Sequence, residues 1–241
     1  MHIINLLKII WAFFWLSLMT ILLFIPIITA ALFSRTGNLA FNISKIWAIA
    51  IKRALFVKTT IVGKEKIQKG VPYVIISNHQ SHIDIPAIIT QLGIQFRWII
   101  KKELLFIPLF GYALYASRNV FIKRSDRSQT IKSIQNGLKR LPIGVGLLFF
   151  AEGTRSPDGK IHSFKKGAFV TALEAKLPIL PITINGSRKV LPKGSVIFSP
   201  GLIEVVVGDP IDSTNYSYDK LEELIEKTRK TIVNSFSGAN Q

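Results

Sequence analysis

Tyr73-Val74-Ile75-Ile76-Ser77-Asn78-His79-Gln80-Ser81-His82-Ile83-Asp84 begins as an unbroken apolar run and ends in a polar turn. A short apolar run closed by turn formers reads as a strand buried on both faces. Helical periodicity follows over residues 85–92, which makes the unit strand, turn, helix. The same alternation continues along the chain. Residues 96–100, 120–123, 145–150, 180–184 and 203–207 read as strands, and 128–141, 167–175 and 219–235 as helices. Such alternation predicts an α/β fold, a mainly parallel sheet flanked by helices. No internal repeat, low-complexity tract or linker interrupts it, so residues 59–241 form one domain.

The first 58 residues differ in kind. Residues 9–34 contain no ionisable side chain, and about 20 apolar residues are enough to span a bilayer as a helix. The run is too long and too aromatic for a cleaved signal peptide. Either a spanning helix or half of a re-entrant hairpin fits it. Residues 38–57 are amphipathic, with Asn38, Asn42, Lys45 and Lys52 along one stripe. That stripe suits a helix lying in the membrane interface, apolar side in lipid and lysines toward phosphates, and equally a helix packed on its own domain. The expectation is an N-terminal membrane-associated two-helix segment over residues 1–58. Cations concentrated after the apolar run place the domain on the cytoplasmic side, at the inner membrane if the source is bacterial.

Charge and composition narrow the function. The 241 residues carry 31 Lys and Arg against 14 Asp and Glu, a formal net charge of +17. The excess lies in the body of the chain, because the last 33 residues are mildly acidic. Such a surface attracts phosphate-bearing partners: anionic membrane lipids, a phosphorylated substrate, an acidic carrier protein or nucleic acid. No recognition helix or aromatic RNA-binding motif is present, so nucleic acid is not expected. Cysteine is absent, which excludes disulfides, Cys-based metal sites and a thiol nucleophile, and no other metal-binding cluster stands out.

Four stretches carry the chemistry. In the first, His79 with Asp84 five residues on is the best acid–base candidate, since an imidazole titrates near neutrality and a carboxylate can fix its tautomer. Five residues on a regular helix would leave the two side chains about 140° apart, so contact requires a turn. Ser81-x-x-Asp84 is also the capping-box pattern of a helix start. The second stretch, Arg118-Asn119-Val120-Phe121-Ile122-Lys123-Arg124, is a strand with a basic end. The third, Phe149-Phe150-Ala151-Glu152-Gly153-Thr154-Arg155-Ser156, is a strand breaking into a glycine turn beside an arginine, which suits a phosphate. The fourth, Leu177-Pro178-Ile179-Leu180-Pro181-Ile182, is a strand whose prolines restrict its pairing.

The order and separation of these stretches resemble the 1-acyl-sn-glycerol-3-phosphate acyltransferase family. His79-x4-Asp84, Phe121-Ile122-x-Arg124, Glu152-Gly153-Thr154-Arg155-Ser156 and residues 178–182 match its four blocks. Lys101-Lys102-Glu103-Leu104 with Ile107-Pro108-Leu109-Phe110-Gly111, and Phe164-Lys165-Lys166-Gly167-Ala168-Phe169, are also similar, and the likeness covers residues 59–208. It implies a membrane-bound enzyme of phospholipid biosynthesis that moves a fatty acyl group from coenzyme A or acyl carrier protein to the free sn-2 hydroxyl of 1-acyl-sn-glycerol-3-phosphate, giving phosphatidic acid, with no cofactor. A neighbouring specificity, another lysolipid or glycerol-3-phosphate, is the alternative. By this resemblance His79 is the general base and Asp84 its orienter. Arg124, Arg155 and the Gly153–Thr154 backbone hold the acceptor phosphate, and Lys101 and Lys102 are further phosphate contacts. Glu152 either bonds the acceptor or braces the arginines. Two departures stand out: Arg118 where the family has Gly, an added cation expected near the headgroup, and Ala151 where it has Pro.

Overall fold

A computed structural model describes residues 2–240. Its centre is a seven-stranded sheet of β1 (Val57–Val62), β2 (Val74–Ser77), β3 (Phe96–Lys101), β4 (Val120–Ile122), β5 (Gly146–Phe150), β6 (Ile179–Asn185) and β7 (Gly201–Val207). The spatial order is β1-β7-β6-β2-β5-β3-β4. Every neighbouring pair is parallel except β6 with β7. The mainly parallel α/β fold expected from the alternation is therefore present. β1 was not foreseen. It is an edge strand with Lys58 and Thr60 exposed, entered two residues after a helix, so it lacks the apolar run that marks a buried strand.

β2 shows why the central strands were legible. All four of its residues are buried, with Ile75 facing one core and Val74 and Ile76 the other. The first core is roofed by α2 (Asn38–Ala54) and α3 (Asp84–Gln91), the second by α5 (Arg127–Lys139), α6 (Gly167–Ala175) and α8 (Leu221–Asn234). Two short helices, α4 (Phe110–Ala116) and α7 (Ser187–Val190), complete the set. Despite its prolines β6 is central. Its antiparallel ladder with β7 begins at Ile182, one residue past Pro181, so the missing N–H falls outside that ladder, and the Pro181 carbonyl accepts from Gly208.

α1 (His2–Phe33) is long and apolar enough to cross a membrane by length and composition. It runs antiparallel along α2. Trp11 Nε1 donates to the Ala54 carbonyl at 2.7 Å, Trp47 Nε1 to Thr20 Oγ1 at 3.2 Å, and Ile27 packs with Ala40. Phe41, Ala48 and Ile51 of α2 enter the domain core, so this helix packs on its own domain, while Leu39 and Ile46 stay exposed. Lys52, expected to reach phosphates, is buried and donates to Thr59 Oγ1 and Thr90 Oγ1, both at 2.6 Å. Burial among these neutral partners, with Arg53 adding repulsion, lowers its pKa to about 8.

Candidate active site

The candidate residues follow the C-terminal ends of parallel strands, so the topology gathers them along one edge of the sheet. His79 lies two residues past β2, Lys101 ends β3, Arg124 lies two past β4, and residues 152–155 follow β5.

The turn after β2 is built to bring position 84 back to position 79. Asn78 anchors it: its amide nitrogen donates to the Ile184 carbonyl at 3.0 Å, and its oxygen accepts from the Ile184 N–H at 2.8 Å. Ser81 Oγ donates to the Leu191 carbonyl at 2.6 Å. Asp84, wholly buried at the start of α3, then points inward. Its Oδ2 lies 2.7 Å from His79 Nδ1 and accepts the N–H groups of Gln80 and Ser81 at 2.7 and 2.8 Å. Ser81 Oγ accepts from the Ile83 N–H at 3.2 Å. The helix-start and imidazole-orienting roles of Asp84 therefore coexist on one oxygen, because the turn that forms the cap is the turn that carries His79. With Nδ1–H given to the carboxylate, Nε2 keeps the basic lone pair, and no hydrogen bond from the described residues reaches it.

The loop after β5 closes over this turn. The Ser156 N–H donates to the His79 carbonyl at 2.8 Å. Glu152 Oε1 accepts from the His79 N–H at 3.0 Å, and Oε2 from the His162 N–H at 3.1 Å. Burial pushes the Glu152 carboxyl pKa up, opposed by these two backbone donors. Glu152 was expected to bond the acceptor or brace the arginines. Both of its oxygens accept backbone N–H groups, one of them in the His79 turn, and no hydrogen bond or ion pair joins it to an arginine among the described residues. Where the family has proline, the Ala151 N–H donates to the Ser77 carbonyl at 3.1 Å, a bond that proline cannot make.

Gly153 sits at φ +74°, and a Cβ there would press on the Lys165 side chain. Its carbonyl accepts from Arg124 Nη1, which ties β4 to the glycine turn. Burial lowers the Arg124 pKa, while nearby Glu103 opposes the shift. Thr154 is exposed and Arg155 partly buried, with no side-chain hydrogen bond to either among the described residues. The exposed His82 has its pKa lowered by desolvation and by the nearby cation of Arg155. Lys101 and Lys102 are exposed, with Lys101 3.6 Å from Glu103, and no hydrogen bond or ion pair among the described residues joins them to His79 or Arg155. Arg118 corrects an expectation. It precedes β4, at the opposite end of that strand from Arg124, and its side chain lies against Gly37 in the α1–α2 turn, away from the candidate phosphate contacts. Its φ of +59° accounts for glycine at this place in the family's pattern.

Three contributors escaped the sequence. Phe150 stacks on His79, centroids 3.7 Å apart and planes 10° from parallel. Lys193 Nζ donates to the Arg155 carbonyl at 2.7 Å, and Arg188 to the Ser156 and Pro157 carbonyls, so α7 and the loop after it steady the arginine loop. Beside Phe150 a cavity of about 580 Å³ lies between α5, α6 and the sheet, lined by Phe149, Ile122, Ile134 and Phe164 together with Arg124 and Lys165. The apolar walls belong to neighbouring strands and helices, so only the folded chain assembles them.

Comparison with known proteins bears on the fold and the family. The 1-acyl-sn-glycerophosphate (LPA) acyltransferase of Thermotoga maritima has a crystal structure that superposes with a TM-score of 0.83 at 28% identity, covering 97% of this chain and 95% of that one. A chloroplastic 1-acyl-sn-glycerol-3-phosphate acyltransferase of Arabidopsis thaliana is 35% identical over 195 residues, 80% of this chain and 53% of its own. The enzyme of that name from Saccharomyces cerevisiae is 35% identical over 193 residues, 77% of this chain and 62% of its own. The chain thus spans little more than half the length of the first curated relatives it matches. The sequence model described as Acyltransferase matches residues 58–185, from the first sheet strand to the end of β6. By that match and these relatives, the chain belongs to the acyltransferase family.

Proposed function

We propose that the protein transfers a fatty acyl group from an acyl thioester to the free sn-2 hydroxyl of 1-acyl-sn-glycerol-3-phosphate, giving phosphatidic acid. The observation that carries it is the His79–Asp84 pair at 2.7 Å, with Nε2 left free on the edge that also carries Arg155. The names of the relatives supply the substrate class.

In this mechanism Nε2 of His79 takes the proton of the acceptor hydroxyl as its oxygen attacks the thioester carbonyl. The tetrahedral intermediate collapses, the carbon–sulfur bond breaks, and His79 returns the proton to the leaving thiolate. Asp84 holds the ring in the required tautomer and stabilises the imidazolium between the two transfers. Absence of cysteine is consistent with direct attack rather than an acyl-cysteine intermediate. Arg155 and Arg124 hold the acceptor phosphate with the Gly153–Thr154 backbone, and Lys101 and Lys102 attract it from the rim. The cavity between α5, α6 and the sheet, which Arg124 and Gly153 also line, gives an acyl chain an apolar lodging beside the candidate phosphate contacts. The donor is a coenzyme A or acyl carrier protein thioester; both carry phosphate or carboxylate charge that suits the basic surface. α1 keeps the domain at the membrane, cytoplasmic side by its flanking cations.

The test is an acceptor panel with one acyl-CoA, read by lipid mass spectrometry, using wild type and His79→Ala. Lysophosphatidate should be the preferred acceptor, and the variant should lose about 10²–10⁴ in turnover while staying membrane-bound. Preference for glycerol-3-phosphate would overturn the acceptor assignment, and unchanged kcat in folded His79→Ala would overturn the base.

A further inference from the structure

Past β3 the chain makes a knuckle over residues 102–111. Residues 102–106 form a 3-10 turn, Pro108 and Leu109 reverse the chain, and α4 runs back. Phe106 is 78% exposed, and Leu104, Ile107 and Leu109 are exposed beside it. Consecutive large apolar residues turned outward mark an interaction surface rather than ordinary scatter. The knuckle is also held in shape. Gly111 donates to the Ile107 carbonyl at 2.8 Å and passes so close to the Leu105 carbonyl that any Cβ would collide with it. Leu109 takes φ +61°, and Phe110 packs on Trp47 of α2. Phe106 and Ile107 are thus presented by a braced turn.

We propose that this knuckle is a second lipid-inserting element, which together with α1 seats the reacting edge on an anionic phospholipid leaflet. The proposal rests on the acceptor being a membrane lipid, as above. Three observations choose a leaflet as occupant. First, the apolar surface is continuous with α1: Tyr112 meets Phe24 edge-on at 6.1 Å, and Ala113 and Ala116 pack with Leu23 and Ile27. Second, Tyr112 and Tyr115, each more than half exposed, offer amphipathic rings suited to the lipid–water boundary. Third, the border is basic. Lys101 and Lys102 flank the knuckle at the reacting edge, and Arg118 and Arg35 lie at the other end. No acidic residue occurs in the first 64 positions, and only Glu103 between Asp84 and Asp126. A second copy of the chain would set this cationic border against itself, whereas a leaflet meets the centre with hydrocarbon and the border with phosphates.

The chain has no cysteine, so Phe106→Cys and, as a reference, Ile143→Cys in the exposed turn between α5 and β5 each give one labelling site in the full-length protein. Both are labelled with an environment-sensitive nitrobenzoxadiazole dye and reconstituted into phosphatidylcholine–phosphatidylglycerol vesicles. The label at 106 should be blue-shifted, quenched by nitroxide lipids and several-fold less accessible to aqueous iodide than the label at 143. Equal iodide quenching at both sites would overturn the proposal. Self-quenching at 106 that rises with the protein-to-lipid ratio, without nitroxide quenching, would replace the leaflet by a second copy. These readouts need no turnover, so they stand apart from the acceptor assignment. In a parallel assay Phe106→Asp should raise the KM for vesicle-borne acceptor about tenfold, on the scale of one buried aromatic side chain, with kcat retained. An unchanged KM with the melting curve preserved would count against insertion.

Discussion

The imidazole of His79 lies flat on the ring of Phe150, and Phe150 in turn stacks on Trp98 with centroids 5.8 Å apart. Asp84 fixes one edge of the imidazole and Phe150 fixes its plane, so the ring is restrained in both respects. Phe150→Leu keeps an apolar side chain of similar bulk but removes the flat support. It should lower kcat about tenfold while shifting stability by less than about 1.5 kcal/mol. Steady-state kinetics beside a thermal melt check the split, and parallel losses in both would make Phe150 a packing residue only.

Asp84→Asn separates nothing cleanly by itself, because one oxygen serves both the helix start and the imidazole. An amide can still accept from Gln80 and Ser81, but it stabilises an imidazolium far less than a carboxylate does. Turnover should therefore fall by about 10²–10⁴, with a melting temperature nearer to wild type than that of Asp84→Ala. Comparing the two variants by melting curve and kcat tests this order.

Glu152→Gln retains one oxygen but presents an NH₂ group to the second backbone donor. One of its two bonds, to His79 or to His162, must be lost. Because the bonds hold the base rather than the acceptor, kcat should drop about 10-fold or more with little change in acceptor KM. A selective rise in KM would instead place Glu152 against substrate.

Arg155→Ala should act the other way, raising acceptor KM about 10-fold or more, as the proposed charge-assisted phosphate contact requires. Acyl-donor KM should remain within about twofold. A defect confined to the donor would reassign the residue.

Lys52 sets a pH dependence of stability. Its folded pKa, about 8, lies below the ordinary 10.5, so the unfolded chain binds more protons between these values. Stability should therefore rise with pH from about 8 to 10.5, by up to about 3 kcal/mol from this group. Lys52→Met should be at least as stable at pH 7 and should lose that rise. Thermal melts of both proteins across pH 7 to 10 check the sign.

What the sequence revealed and concealed follows from the range of the interactions. β2 and β6 were legible because strands buried on both faces must be apolar throughout. The need for a turn between His79 and Asp84 followed from helix geometry, and the turn is there. β1 was not legible, since an edge strand tolerates Lys58 and Thr60 on its open side. Nor was the bracing by Glu152, whose partner at His79 lies 73 positions away. Arg118 misled for a related reason: its place in the pattern suggested the headgroup, but the length of β4 separates it from Arg124. α2 showed its apolar stripe plainly, yet periodicity does not say whether lipid or a protein core covers that stripe.

The oxygen shared by the first turn of α3 and the imidazole ties the lifetime of the catalyst to a small part of the molecule. Helix ends open far more readily than the sheet beneath them. On warming, the base should lose its alignment while the strands are still paired, so heat inactivation would run ahead of melting. The enzyme's working ceiling would then be set by a few residues after β2 rather than by its core.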